Sequence, residues 1–171
     1  RREIDFRGVL YAGVMLTDRG PLLLEYNVRF GDPETEVLVP LYGGELFELL
    51  LRTAEGRLSG ARSVPQGAAV TVVLASEGYP QRPRVGDVIE GLGPDGQLAQ
   101  GSEGVVVFHA GTTLDEEGRF VTNGGRVLAV TGFADTLADA RQRAYEGAGL
   151  VTFRGSVRRS DIALLATKGV P

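Results

Sequence analysis

Glu25, Asn27 and Arg29 occupy alternate positions of the stretch Leu24-Glu25-Tyr26-Asn27-Val28-Arg29. On an extended strand, residues two apart point to one face, roughly 6–7 Å per step. The spacing therefore predicts one polar row, with Leu24, Tyr26 and Val28 turned the other way into a core. A carboxylate and a carboxamide side by side are hard oxygen ligands of the kind Mg²⁺ takes when substrate phosphates also hold it. An arginine one step further can fork onto phosphate oxygens and neutralise charge in transfer. The chemistry that suits the row is phosphoryl transfer. By itself the spacing equally describes an amphipathic strand with a solvated polar face.

The row needs a partner strand and a stop. Residues 8–17 read as a strand that ends in the turn chemistry of Asp18-Arg19-Gly20-Pro21, and residues 22–29 as the second arm of an antiparallel hairpin. Asp32-Pro33-Glu34 then has the signature of a helix start: Asp32 as N-cap, Pro33 in the first turn, Glu34 at the positive end of the dipole. Helices are expected over 33–41 and 45–55, broken at Gly43-Gly44 and closed by Gly56. After a loop over 57–66 the pattern changes. The near-continuous apolar run 68–76 predicts a strand buried on both faces. Further strands are expected at 88–89, 104–109, 119–121 and 126–132. One helix follows, capped by Asp135 or Thr136, with Leu137, Ala140, Ala144 and Ala148 on a single face. The tail reads as a short strand or turn at 152–155 and a weak helix over 160–166.

Composition narrows the classes. Among 171 residues, 18 Lys+Arg against 22 Asp+Glu leave a net charge of −4, which argues against nucleic-acid binding through a bulk positive field. The hydrophobic share of 43% is enough to bury a core. With no cysteine, disulfides, zinc–thiolate sites and thiol nucleophiles are excluded, as fits a reducing cytoplasm. No apolar run approaches a membrane span. The chain begins with Arg1 in place of methionine, and its one lysine is Lys168. A single lysine there does not supply a phosphate-covering Gly-rich flap.

The longer context of the row is more specific. Glu25-Tyr26-Asn27-Val28-Arg29-Phe30-Gly31-Asp32-Pro33-Glu34-Thr35 resembles, nearly residue for residue, the metal-binding strand of the glycinamide ribonucleotide synthetase family, ATP-grasp ligases of purine biosynthesis. Gly8-Val9-Leu10-Tyr11-Ala12-Gly13 is similar to the strand before it. Ala75-Ser76-Glu77-Gly78-Tyr79-Pro80, Phe108-His109-Ala110-Gly111-Thr112, Thr122-Asn123-Gly124-Gly125-Arg126-Val127-Leu128 and Arg159-Ser160-Asp161-Ile162 are similar to later blocks in the family's order.

The resemblance implies an α+β chain: residues 1–60 as the end of an ATP-grasp domain, with antiparallel strands plus helices, and residues 61–171 as a small barrel-sandwich-like C-terminal domain. It implies ligation of glycine to 5-phosphoribosylamine at the expense of ATP, through glycyl phosphate. Glu25 and Asn27 would ligate Mg²⁺ (or Mn²⁺), and Arg29 would steady the transferring phosphoryl group. Asp32 either contacts the substrate amine or only caps a helix. Arg126 either holds the phosphoribosyl phosphate or makes an ordinary surface ion pair. His109 reads as a satisfied structural residue in preference to a catalyst. Upstream N-terminal and ATP-grasp portions of the same enzyme are the expected partners, with no nucleic acid and no membrane, and the isolated chain is expected to be inactive. Two rivals remain: another ATP-grasp carboxylate–amine ligase, which should lack the Phe-His-Ala-Gly-Thr and Asn-Gly-Gly-Arg-Val-Leu blocks, and a non-catalytic barrel-sandwich binding module, which leaves the polar row unexplained.

Overall fold

The computed structural model describes residues 4–60 and 63–168. The chain divides into two compact units between Val64 and Pro65. The expected division at 60/61 adjoins Ala61 and Arg62, which lie outside the described residues. The α+β class with antiparallel strands is the one the chain adopts.

The first unit is a hairpin followed by two helices. Strands β1 (Tyr11–Thr17) and β2 (Gly20–Asn27) pair antiparallel, closed at Thr17 opposite Gly20. Asp18 and Arg19 form the loop; Gly20, at φ 102°, takes a conformation that only glycine enters freely. The Thr17 hydroxyl stitches the turn, donating to the Gly20 carbonyl at 2.8 Å and accepting from Arg19 N–H at 3.2 Å. Helix α1 (Glu34–Tyr42) and helix α2 (Gly44–Ala54) are separated by Gly43, at φ 49°.

Two expectations for this unit are corrected. Pro33, not Asp32, occupies the N-cap position of α1. No side chain caps the helix; one first-turn donor is met by backbone, Thr35 N–H donating to the Gly31 carbonyl at 3.1 Å, joined there by the Thr35 hydroxyl. Leu24, Tyr26 and Val28 do not enter a core of this unit; they are 65%, 60% and 70% exposed. Gly31 is the one buried position among the unit's described residues, so the hairpin and helices carry apolar faces with no shared interior.

The second unit owns a core. Strands β3 (Ala68–Ser76), β4 (Val105–His109), β7 (Arg126–Ala134) and β8 (Ser156–Val157) form an antiparallel sheet in the order β4-β7-β3-β8. A small second hairpin pairs β5 (Thr112–Leu114) with β6 (Phe120–Thr122). In β3 the buried residues alternate, Val70, Val72 and Leu74, so burial on both faces belongs to the neighbouring β7, where 127–132 are all buried.

Helix α3 (Leu137–Leu150) lies on this sheet, capped by Thr136, whose Oγ1 accepts from Asp139 N–H at 3.2 Å. It buries Ala140, Ala144, Gly147 and Ala148, small residues that let two backbones approach. On the sheet side Gly132 matches them: a β-carbon there would stand 2.3 Å from the Ala140 carbonyl oxygen and 2.4 Å from Ala144 N. Residues 88–89 contribute only an isolated bridge, Val88 to Val121, and the tail ends in a 3₁₀ turn, Ala166–Lys168, in place of the expected helix.

Candidate metal and phosphate site

The polar face of the first hairpin is assembled by register. Antiparallel partners share a face, and β1 sets Gly13 opposite Glu25 and Tyr11 opposite Asn27. A bulge between Gly13 and Val14 makes that pairing possible: Met15 pairs with Leu22 and Val14 with Leu23, and the register then shifts by one. Gly13 leaves room for the carboxylate, since a β-carbon there would be 3.3 Å from Glu25 Cγ.

Glu25 and Asn27 are brought together as the sequence predicts. Asn27 Nδ2 donates to Glu25 Oε1 at 2.9 Å. Two adjacent oxygen ligands about 2.1 Å from an octahedral Mg²⁺ stand roughly 3 Å apart. Rotation of the carboxamide exchanges its oxygen for its nitrogen, so this pair fits two neighbouring corners of such a cation. Among the described residues no group of three or more His, Cys, Asp or Glu side chains could hold a metal. A cation on Glu25 and Asn27 would have to draw its other ligands from outside this pair.

Arg29 is not part of the strand row. Strand β2 ends at Asn27, and Arg29 stands exposed in the bend that follows, its Nη1 donating to the Phe30 carbonyl at 3.0 Å. Asp32 is exposed one residue before the cap position of α1.

Tyr11 and Glu34 are members of this face that the sequence did not single out for it. Tyr11 Oη donates to Glu34 Oε1 at 3.1 Å. That bond and the Glu34 charge push the phenol above its ordinary value, with burial and the Glu25 charge adding in the same direction. The signal was a facing position across the hairpin, hidden by the bulge.

In the second unit Arg126 opens β7 opposite Ala75. Three of the motif stretches converge here. Ser76 N–H and hydroxyl donate to the Gly125 and Gly124 carbonyls at 2.8 and 3.0 Å; Gly111 N–H donates to the Arg126 carbonyl at 2.8 Å; Asn123 N–H donates to the Gly111 carbonyl at 2.7 Å. The glycines make this closeness possible, as a β-carbon on Gly125 would stand 2.1 Å from the Tyr79 ring. His109 clamps a neighbouring loop: Nε2 meets the Gly96 carbonyl at 2.9 Å, Nδ1 meets Thr112 Oγ1 at 2.9 Å, and the ring packs 4.8 Å from Phe120. Both ring nitrogens thus have partners within the fold, which is a structural role.

Comparison with known proteins follows the same division. The family model described as "Phosphoribosylglycinamide synthetase, C domain" matches residues 69–165, and the one described as "Phosphoribosylglycinamide synthetase, ATP-grasp (A) domain" matches residues 1–35. A Mycobacterium bovis protein named phosphoribosylamine–glycine ligase is 46% identical over 99% of this chain, which spans 38% of that relative. A Gallus gallus protein named trifunctional purine biosynthetic protein adenosine-3 is 46% identical over 97% of this chain, which spans 16% of it. The crystal structure of a Thermotoga maritima phosphoribosylamine–glycine ligase superposes with a TM-score of 0.75 at 44% identity, covering 90% of this chain and 36% of that one. The biotin carboxylase domain of a Hydrogenobacter thermophilus 2-oxoglutarate carboxylase, at 18% identity and a TM-score of 0.60, shares the fold. Among the described residues no helix is long and apolar enough to cross a membrane.

Proposed function

Because this chain belongs to the phosphoribosylglycinamide synthetase family, we propose that it supplies the end of the ATP-grasp domain, residues 1–60, and the C-terminal domain, residues 61–171, of a cytoplasmic ligase that joins glycine to 5-phosphoribosylamine. The observation that carries the reading is the Asn27–Glu25 pair, a carboxamide and a carboxylate joined Nδ2 to Oε1 at 2.9 Å within the stretch that matches the family's ATP-grasp model. The apolar residues exposed on the hairpin, Leu24, Tyr26 and Val28 among them, suit packing against upstream ATP-grasp portions of the same enzyme.

In this reading a glycine carboxylate oxygen attacks the γ-phosphorus of ATP, the bond to the β-bridging oxygen breaks, and ADP leaves. The amine of phosphoribosylamine then attacks the carbonyl carbon of glycyl phosphate, loses a proton, and expels inorganic phosphate. Glu25 and Asn27 hold Mg²⁺ or Mn²⁺, which when bound neutralises charge on the phosphate oxygens. Arg29, free of the strand, swings its guanidinium onto the γ-phosphoryl oxygens and then onto the acyl phosphate. Asp32 is assigned to the substrate amine, and Arg126 to the phosphate of phosphoribosylamine by a two-pronged contact.

The test is isotope transfer in the intact enzyme. With glycine labelled by ¹⁸O in its carboxylate, one labelled oxygen is expected in the released phosphate. Phosphate free of label would overturn the acyl-phosphate route.

A further inference from the structure

The phosphoryl-transfer reading leaves one bond of the polar face without a task. Tyr11 lies directly across from Asn27, yet its hydroxyl donates to Glu34, at the start of α1. The Glu34 carboxylate folds back over Gly31: a β-carbon on that glycine would stand 1.8 Å from Glu34 Oε2. Gly31 is buried and has no positive φ, and the nearest atoms that a β-carbon there would meet all belong to the flexible Glu34 side chain. Glu34 is thus held by the Tyr11 hydroxyl and lies in the space that Gly31 leaves open. The charges of Glu34 and Glu25 both act on the Tyr11 hydroxyl, so both carboxylates lie within electrostatic reach of it.

We propose that Tyr11 is a positioning residue of the metal and phosphate site, fixing Glu34 as an acceptor for water bound to the cation. A divalent cation with two protein ligands keeps several waters, whose O–H groups need acceptors. Carboxylates one layer out orient those waters and tune affinity. Glu34 stands on the helix side of the Tyr11–Glu34 hydrogen bond and not on β2 with Glu25 and Asn27, which suits it to the outer layer. The competing account is a strut: the Tyr11–Glu34 bond only ties the hairpin to the helix start.

This inference rests on the ligase reading, and its test separates the two. In the intact enzyme, Mn²⁺ binding in the presence of ATP is followed by electron paramagnetic resonance, beside thermal melting, for Tyr11→Phe, Glu34→Gln and Gly31→Ala. Gly31→Ala displaces only the flexible end of Glu34, so it moves the carboxylate without removing it. Glu34→Gln and Gly31→Ala are expected to weaken Mn²⁺ about 10-fold or more, and Tyr11→Phe by a smaller factor, with the melting temperature retained. Mn²⁺ affinity within twofold of the parent in all three variants, whether or not they melt earlier, would make the bond a strut and overturn the proposal. Glu25→Gln serves as the control. If it alone weakens Mn²⁺, only the present inference fails; if it too has no effect, the assignment of the metal site fails.

Discussion

Asn27 Nδ2 donates to Glu25 Oε1 at 2.9 Å across the two-residue step of β2. This separation is close to that of two neighbouring ligands on an octahedral Mg²⁺, about 3 Å. In the proposed metal site a turn of the Asn27 carboxamide would set its oxygen beside the Glu25 carboxylate.

Arg29 tests the division of labour between the strand and the bend beyond it. Its side chain is exposed and bonds only to the neighbouring Phe30 carbonyl among its described hydrogen bonds, so substitution should leave stability alone. Arg29→Lys keeps the charge and loses the fork. In steady-state kinetics of the intact enzyme, kcat should fall about 10²- to 10³-fold, the scale of losing one aimed donor. The KM for ATP should change by no more than a few-fold. An unchanged kcat would remove Arg29 from the reaction.

Gly132 tests the packing of the second unit. A methyl group there meets the α3 backbone at Ala140 and Ala144, which cannot yield as a flexible side chain would. Gly132→Ala should destabilise that unit by about 1–3 kcal/mol or more. Denaturant unfolding measures this, and a variant as stable as the parent would show that helix and sheet are less closely fitted.

Asp115 gives a pH dependence with a definite sign. Its carboxyl is held below the ordinary 3.8, first by the Arg119 backbone N–H and further by the Arg119 side chain, against some desolvation. A carboxyl lowered on folding contributes stability above its ordinary value and loses it as pH falls through the folded value. The turn carrying Arg119 should therefore loosen below pH about 4, followed by NMR titration of the amides of residues 115–119. Asp115→Asn should abolish this acid transition; a transition that persists would assign it to another group.

Much of this was legible in the sequence because local chemistry decided it. The small-residue stripe Ala140, Ala144 and Ala148 marked the buried face of α3, and period-two spacing put Glu25 and Asn27 together. What escaped depended on register and termination. With Thr17 opposite Gly20, an unbroken ladder would set Tyr11 opposite Tyr26; the bulge at Gly13/Val14 moves it to Asn27 and onto the polar face. Strand β2 stops at Asn27, which removes Arg29 from a row that alternation alone would extend. Asp32 is not the cap because the helix starts at Glu34, one residue later than the Asp32-Pro33 signature implies, which puts Pro33 at the N-cap position. For Leu24, Tyr26 and Val28, alternation identifies the apolar side of a strand, not what covers it. The strand Thr112–Leu114 is too short to carry a period.

The most direct measurement is the effect of Glu25→Gln on the intact enzyme, read as Mn²⁺ affinity beside kcat. The side chain is exposed, so the fold should be retained, and the amide keeps shape while giving up the negative charge. Mn²⁺ bound with ATP should weaken about 10-fold or more, and kcat should fall about 10²-fold or more. Parental Mn²⁺ affinity and parental kcat in a folded Glu25→Gln enzyme would contradict the account.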